Sequence, residues 1–597
     1  MKYYIRYILT KLFIWRMSHV RRGRYFLYGA SVAVGLVAAL AAIVMKNAAH
    51  HLQNGLHNLE AQQQYLYILY PLVGLVLVAA VVRFVLKKPV GHGIPKVLFA
   101  IARKDAKLST ESLYSSWIAS VLTVGFGGSV GLEGPAATTG ASIGSNIGQG
   151  LRLGYKQTLL LLACGATSAI AAIFNTPIAA IIFSLEVLMI DLSISSMIPL
   201  LLASVTGISV SYFFLGQETL WAFNRDARFE LGDLPMYLCL GLLTGLVSVY
   251  FTKVYIQLED WGERIRNNYL RILAGGAALG AIVLVLPYLY GEGYGVINEC
   301  LHGNTDFLFD VAIYQSFPDH PAVIILLLLL LILLKPIASS LTFGAGGVGG
   351  IFAPSLFVGA VSGLLFAYLV NLSNAFGTIH LSRFALVGMA GVMTGVLHGP
   401  LTAIFLIADI TGGYGFIVPI MAVSSVSFAT TRYFVNNSVY THELAKRNQL
   451  LTHNKDKSVL DLMQIGQLLE TDFSKLKPDQ TLRDLVKQIT LSKRDIFPVV
   501  DEEERLLGII TLNDVKHLIF DQEKYDKLEV SRLMHLPEIT VEITDTAETL
   551  TRYFHETGKY NLPVIDQGRY LGFVSRANVF ATYQKLLRQH SPSSTHG

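Results

Sequence analysis

Long stretches of this chain carry no Asp, Glu, Lys or Arg at all: residues 25–45, 65–82, 157–185, 192–217, 272–291, 336–382 and 410–431. A helix needs about 20 apolar residues to cross the hydrocarbon core of a bilayer. Several of these runs reach that length, and the longest have room for two helices. A soluble fold would expose far more charge. Only 15% of the 597 residues are charged and 52% are hydrophobic, against roughly 25% charged in ordinary soluble domains. The chain is therefore expected to be a polytopic helical membrane protein. Its net charge of +5 is too modest to suggest a nucleic-acid binder.

The first residues do not have the form of a cleavable signal peptide, which places a short apolar core behind a short basic region. Lys2, Arg6, Lys11, Arg16, Arg21, Arg22 and Arg24 run through a long basic, aromatic stretch instead. Residues 1–24 are read as an interfacial helix lying on anionic lipid. A second basic cluster, Lys87, Lys88, Lys96, Arg103, Lys104 and Lys107, follows the second span. Both clusters should stay inside, which makes the first two spans a hairpin with a cytoplasmic N-terminus. An inner or cell membrane is the default host. Cys164, Cys239 and Cys300 show no disulfide or metal-ligand spacing.

The apolar region contains a repeat. Gly131-Leu-Glu-Gly-Pro135, continuing to Gly140 and Gly144, returns as Gly350-Ile-Phe-Ala-Pro354, continuing to Gly359 and Gly363, with Gly131, Pro135, Gly140 and Gly144 each displaced by 219 positions. Phe174-Asn-Thr-Pro177, running on to Glu186, returns as Leu397-His-Gly-Pro400, running on to Asp409, displaced by 223 at the proline and at the acid. Two homologous halves of this kind usually hold a transport substrate at their interface. Each first segment opens with glycines, which turn tightly, and a proline, which suits the first turn of a helix. The result is a helix that begins inside the membrane, with free N–H groups and about half a positive charge at its start. Two such starts converging would hold an anion through partial charges, loosely enough for it to leave. Magnesium would require several carboxylates, whereas the deep segments offer chiefly Glu133, Glu186 and Asp409.

These motifs resemble the CLC family of chloride channels and chloride/proton antiporters, from the first span to about residue 445. The resemblance rests on Gly91-His-Gly-Ile-Pro95, Gly131-Leu-Glu-Gly-Pro135, Gly350-Ile-Phe-Ala-Pro354 and Tyr440. It implies inverted-topology repeats and a homodimer in which each subunit has its own anion pathway. It also implies an anion site built from the backbone at Gly131 and Gly350, the Ile351 and Phe352 amides and the Tyr440 hydroxyl. Glu133, alone between two glycines at a helix start, is the expected gate, because the dipole end that attracts chloride also attracts its carboxylate. Three positions depart from the family pattern. His92 stands where serine is common, and either lines the filter as a pH-dependent donor or turns aside into a satisfied hydrogen bond. Val187 stands where antiporters commonly carry the proton-passing second glutamate, next to Glu186. Leu132 stands where a basic residue is common, which makes the mouth less attractive to anions. Glu186 and Asp409 are read as helix-end acids.

Charged residues become frequent from Glu443 onward, and a second repeat follows. Phe497-Pro-Val-Val-Asp501 returns as Leu562-Pro-Val-Ile-Asp566, displaced by 65, and the Gly508 strand returns at Gly572, displaced by 64. Each unit reads as strand, turn, strand and helix, with Thr511 and Ser575 at N-cap positions. This resembles a tandem pair of CBS domains, small α/β modules that often bind adenine nucleotides. In that family the hydroxyl caps the helix and an acid three residues later can hold the ribose hydroxyls. Thr511 and Asp514 keep both, whereas Ser575 is followed by Asn578, so at most one nucleotide site is complete. A nucleotide-free dimerisation scaffold is the competing reading.

The expectation is a chloride and small-anion transporter with no required cofactor, divided as 1–24, 25–445, a linker 446–462, and CBS units 463–525 and 526–597. Both termini and the CBS pair would be cytoplasmic. With valine at position 187, passive channel conduction is favoured. A chloride/proton antiporter on the same fold is the alternative, and a CBS-regulated divalent-cation transporter a remote one. No catalytic grouping of an enzyme is present in a fitting context.

Overall fold

The structure, a computed structural model, describes residues 24–60, 66–87, 90, 93–102, 105–190, 194–216, 221, 229–265, 267–310, 314, 320–374, 377–411, 414–446 and 463–590. The expected interfacial helix and linker lie outside these residues apart from Arg24 and Lys446, and His92 and Gly91 lie outside them altogether. The chain divides into two compact units, Met1–Gln449 and Leu450–Gly597.

The first unit is helical. Its first half holds α1 (Arg24–Glu60), α2 (Leu66–Ala80), α3 (Gly93–Ala102), α4 (Ser112–Gly125), α5 (Glu133–Gly150), α6 (Tyr155–Phe174), α7 (Pro177–Glu186) and α8 (Ile194–Leu215). The second holds α9 (Leu234–Arg264), α10 (Asn268–Val285), α11 (Tyr294–His302), α12 (Pro321–Gly344), α13 (Phe352–Ser373), α14 (Leu381–Leu397), α15 (Pro400–Ile410) and α16 (Ile417–Phe434), after which α17 (Val439–Lys446) closes the unit. Among the described residues, nine helical stretches are long and apolar enough to cross a membrane. Each helix of one half has its counterpart eight places on, and the packing repeats with them. The α5–α6 pair is matched by α13–α14, and the contacts of α1 with α6 and α8 by those of α9 with α14 and α16.

The repeated glycines explain why those pairs pack so closely. A Cβ on Gly144 would lie 1.9 Å from the Leu161 carbonyl oxygen, and one on Gly363 would lie 2.0 Å from that of Phe384. Backbone meets backbone there, as small residues permit between membrane helices.

The second unit is α/β. Strands β1 (Leu469–Glu470), β4 (Val541–Glu542), β5 (Asn561–Asp566) and β6 (Arg569–Ser575) form one sheet in the order β1-β6-β5-β4, and β2 (Ile496–Val500) pairs with β3 (Leu506–Thr511). The expected strand–turn–strand–helix pattern is present in both repeats, with α20 (Leu512–Val515) after β3 and α23 (Arg576–His590) after β6. The remaining helices are α18 (Ile465–Leu468), α19 (Leu482–Leu491), α21 (Val530–Leu533) and α22 (Ala547–Thr557). The two repeats are not independent. β1 of the first pairs with β6 of the second, and Phe473, Ile496, Val500 and Ile509 share a buried cluster with Tyr570 and Phe573.

Candidate functional site

The two glycine turns meet. Gly131 N–H donates to the Gly350 carbonyl at 2.9 Å, and Gly350 N–H to the Gly131 carbonyl at 2.7 Å, an antiparallel bridge of the kind a local two-fold relation produces. From this bridge α5 and α13 depart, each with its N-terminus buried. The first helical bond of α13 runs from Ser355 N–H to the Ile351 carbonyl. The amides of Ile351 and Phe352 therefore precede the helical ladder and have no acceptor within it. Gly93, at the start of α3, approaches Gly134, whose own Cβ would touch the Gly350 Cα at 3.1 Å. Tyr440 is buried in α17, against α3. Its hydroxyl has no hydrogen-bond partner among the described residues and faces the Ile351 backbone. Helix starts and an orphaned hydroxyl thus converge on one buried point.

Glu133 stands beside it. The side chain is only 1% exposed. One carboxylate oxygen accepts from the Tyr294 hydroxyl, and the other has no partner among the described residues. That second oxygen folds back over the bridge, 2.0 Å from where a Cβ on Gly131 would sit. Only glycine leaves it that space.

The sequence reading missed three charged neighbours. Glu292, 5% exposed, lies in the loop before α11 and accepts from the Leu132 N–H at 3.1 Å. Lys46, in α1, donates to the Ile173 carbonyl at 3.1 Å. Lys335, fully buried in α12, donates to the Gly291 carbonyl at 2.9 Å and lies over the Phe357 ring. Lys46 is within electrostatic range of both glutamates, and Lys335 of Glu292. The region is therefore not built from backbone partial charges alone, as the helix-start reading implied, but is bordered by two basic side chains. Lys46 lines the same small cavity as Leu132. The signal was present in the sequence: Lys335 ends an unbroken apolar run over 321–334, and an ionisable residue there is functional by default.

In the second unit, Thr511 and Asp514 form a reciprocal cap on α20. The Thr511 N–H and hydroxyl both donate to one Asp514 oxygen at 2.7 Å. Burial opposes ionisation of Asp514, but these bonds and the nearby His535 outweigh it and hold the carboxyl below its ordinary range. Ser575 accepts from the Asn578 N–H at 3.1 Å and donates to Glu470.

The family model described as voltage gated chloride channel matches residues 73–432, and the CBS domain model matches 465–521 and 530–584. The chain belongs to the voltage-gated chloride channel family. It is 28% identical over 427 residues to the ClcB-like chloride channel protein of Ralstonia nicotianae, covering 69% of this chain and 95% of that relative. It is 26% identical over 371 residues to the H(+)/Cl(-) exchange transporter ClcA of Vibrio campbellii, covering 60% and 75%. The solved structure of a slow cyanobacterial Cl-/H+ antiporter superposes with a TM-score of 0.61 at 22% identity, covering 71% of this chain and 98% of that one. The CLC fold and anion transport by this chain follow, with the CBS pair appended.

In this CLC protein the helix-end acids cap one another's helices. Glu186, at the end of α7, accepts from the Leu401 and Thr402 amides at 3.1 and 2.7 Å and from the Thr402 hydroxyl at 2.7 Å. Asp409, at the end of α15, accepts from the Ile178 and Ala179 amides at 3.2 Å and from the Tyr414 hydroxyl at 2.7 Å. Each carboxylate sits on the positive end of the other half's helix. Val187 follows Glu186 as a buried apolar residue.

Proposed function

We propose that this protein exchanges chloride for protons, with Glu133 as the gate whose carboxylate alternates with the anion. One observation carries the reading: a buried carboxylate at a helix start, half-bonded to Tyr294, with its other oxygen unpartnered among the described residues and lying over the Gly131–Gly350 bridge. An ionised side chain there competes with chloride for the same partial charges, and a protonated one does not. Each cycle of displacement can therefore carry a proton. The likeness to an exchange transporter of Vibrio campbellii supports coupling.

The anion site in this reading comprises the Ile351 and Phe352 amides, the Tyr440 hydroxyl and the backbone at Gly131 and Gly350, with His92 as a further candidate donor. The protein is taken to be a homodimer of the cell membrane with both termini inside, divided along the boundaries expected from its sequence. A channel is the second reading, favoured by Val187, because valine cannot pass a proton and Glu186 is already engaged as a cap. The reversal potential of the purified protein under opposed chloride and pH gradients separates the two. Exchange displaces it toward the proton gradient; a potential at the chloride equilibrium value, unmoved by pH, means a channel.

At the CBS pair, Thr511 and Asp514 would hold the ribose of an adenine nucleotide, since one Asp514 oxygen is not used in the cap. Equilibrium dialysis with labelled ATP tests this, and Asp514→Asn is expected to abolish retention.

A further inference from the structure

Glu292 is built into its position. The glycines on either side of it, Gly291 and Gly293, have φ of +60° and +84°, a backbone region that residues with a side chain rarely adopt. The Gly291 carbonyl is held by Lys335, its N–H donates to the Gly127 carbonyl at 3.2 Å, and the Ser129 hydroxyl holds the Leu289 carbonyl at 2.7 Å. So fixed, the Glu292 carboxylate points at the start of α5, the same helix terminus that carries Glu133. Its first oxygen takes the Leu132 amide. Its second lies 3.5 Å from His50 Nε2, and His50 is 43% exposed. The groups facing Glu292 among the described residues are His50 and Lys46 from α1, Leu132 just before α5, Glu133 at its first position, Lys335 from α12 and Tyr294 from α11. Glu292, Lys46, Leu132 and Tyr294 share one cavity with room for about one water.

We propose that Glu292 is a second protonatable carboxylate of the gate, passing protons between the partly exposed His50 of α1 and Glu133. This rests on the reading of Glu133 as the gate. Two carboxylates at one helix start repel each other when both are ionised, so a proton shared between them is favoured over none. Each proton taken up makes the charge of the site more positive by one unit. The arriving proton thus itself attracts the anion. In the transfer, His50 takes a proton from water and releases it to the Glu292 carboxylate. The resulting Glu292 acid gives its proton by way of the cavity to the Tyr294 hydroxyl, which lines that cavity and passes its own proton to Glu133, so that Glu292 returns to carboxylate as Glu133 becomes the acid and Tyr294 is restored. Only O–H and N–H bonds change, and no other reactant is needed. The path accounts for proton access from one face and does not involve Val187.

The competing role is structural, with Glu292 serving only as an acceptor for Leu132 and a counter-charge. Glu292→Gln separates the two, because the amide oxygen still accepts from Leu132 while the side chain can no longer take up a proton. Chloride and proton fluxes are measured for the full-length protein in lipid vesicles, with the pH of each compartment varied alone. Glu292→Gln should lower proton flux about tenfold or more, and lower it by more than it lowers chloride flux. It should also flatten the pH profile on the His50 face only. Glu292→Asp should restore part of both, and His50→Gln should shift the same profile. Wild-type proton flux and an unaltered profile in Glu292→Gln would overturn the proposal. Should wild type carry no protons, the exchange reading fails, and Glu292 is judged by the chloride-flux profile alone: flattening on the His50 face supports it, an unchanged profile sinks it. If Glu292→Gln does not elute as folded protein, His50→Gln decides by the same profile.

Discussion

At Glu133 the chemistry of the chain narrows to one bond pattern: among the described residues a single side-chain donor, Tyr294, and an oxygen facing the glycine bridge. Replacing the charge while keeping the shape should leave the gate in its protonated form. Glu133→Gln is expected to abolish proton flux and to make chloride flux independent of pH across about pH 4–8, read in vesicles under a fixed chloride gradient. A retained pH profile in that variant would remove Glu133 from the gate. This residue was legible because a lone acid between glycines stands out in an apolar segment. Glu292 was not, and Lys335 carried a signal without a position, for a physical reason. A sequence shows that a charge is present, but whether it ends a span or lies buried against a distant carbonyl depends on tertiary contacts. Lys335 was taken as the edge of a charge-free run, and its Gly291 partner lies 44 residues away.

At the scale of helices, the repeated glycines were legible as a pattern, and the structure supplies their cause. Gly363→Ala drives a Cβ to within 2.0 Å of the Phe384 carbonyl oxygen, a backbone atom that cannot step aside. Overpacking of this kind typically costs about 1–3 kcal/mol. Gly363→Ala should lower the thermal unfolding midpoint of the purified protein, whereas Gly295→Ala, with nothing within 4 Å, should not. The mutual capping of α7 and α15 by Asp409 and Glu186 was only half legible, since the sequence marked the acids as helix ends without showing which helix each one caps. The cap on α20 makes a pH-dependent prediction. Asp514 titrates below its unfolded value, so its stabilisation is complete above the unfolded carboxylate pKa of about 4 and is lost as pH falls through the lower folded value. Thr511→Ala removes about 1 kcal/mol of capping at neutral pH. Hydrogen exchange of residues 512–516, corrected for intrinsic rates, should be faster in the variant at pH 7. The difference from wild type should narrow as the pH falls through the folded pKa of Asp514.

For the molecule as a whole, the change in charge density near Glu443 marks where an apolar environment gives way to water. The contact pattern divides the chain at 449/450, because a helical bundle and an α/β pair each bury their own apolar surface. What the sequence could not show is that the two CBS repeats are inseparable. β1 crosses to the second repeat's sheet, and Phe473 and Phe573 pack 4.5 Å apart, centroid to centroid. Two truncations should therefore behave differently. A chain ending at 449 keeps every helix of the filter and the gate, so its chloride flux should stay within about threefold of the full chain's. A chain ending at 525 keeps the first repeat but loses β6, leaving β1 without its partner strand and Phe473 without Phe573. Exposing that cluster costs transfer free energy of about 25 cal/mol per Å² of apolar surface, and the longer chain should aggregate or be proteolysed where the shorter one does not. Gel filtration and flux on both settle it: an inactive 1–449 would mean the membrane unit depends on the CBS pair, and a well-behaved 1–525 would mean the shared core does not hold the repeats together.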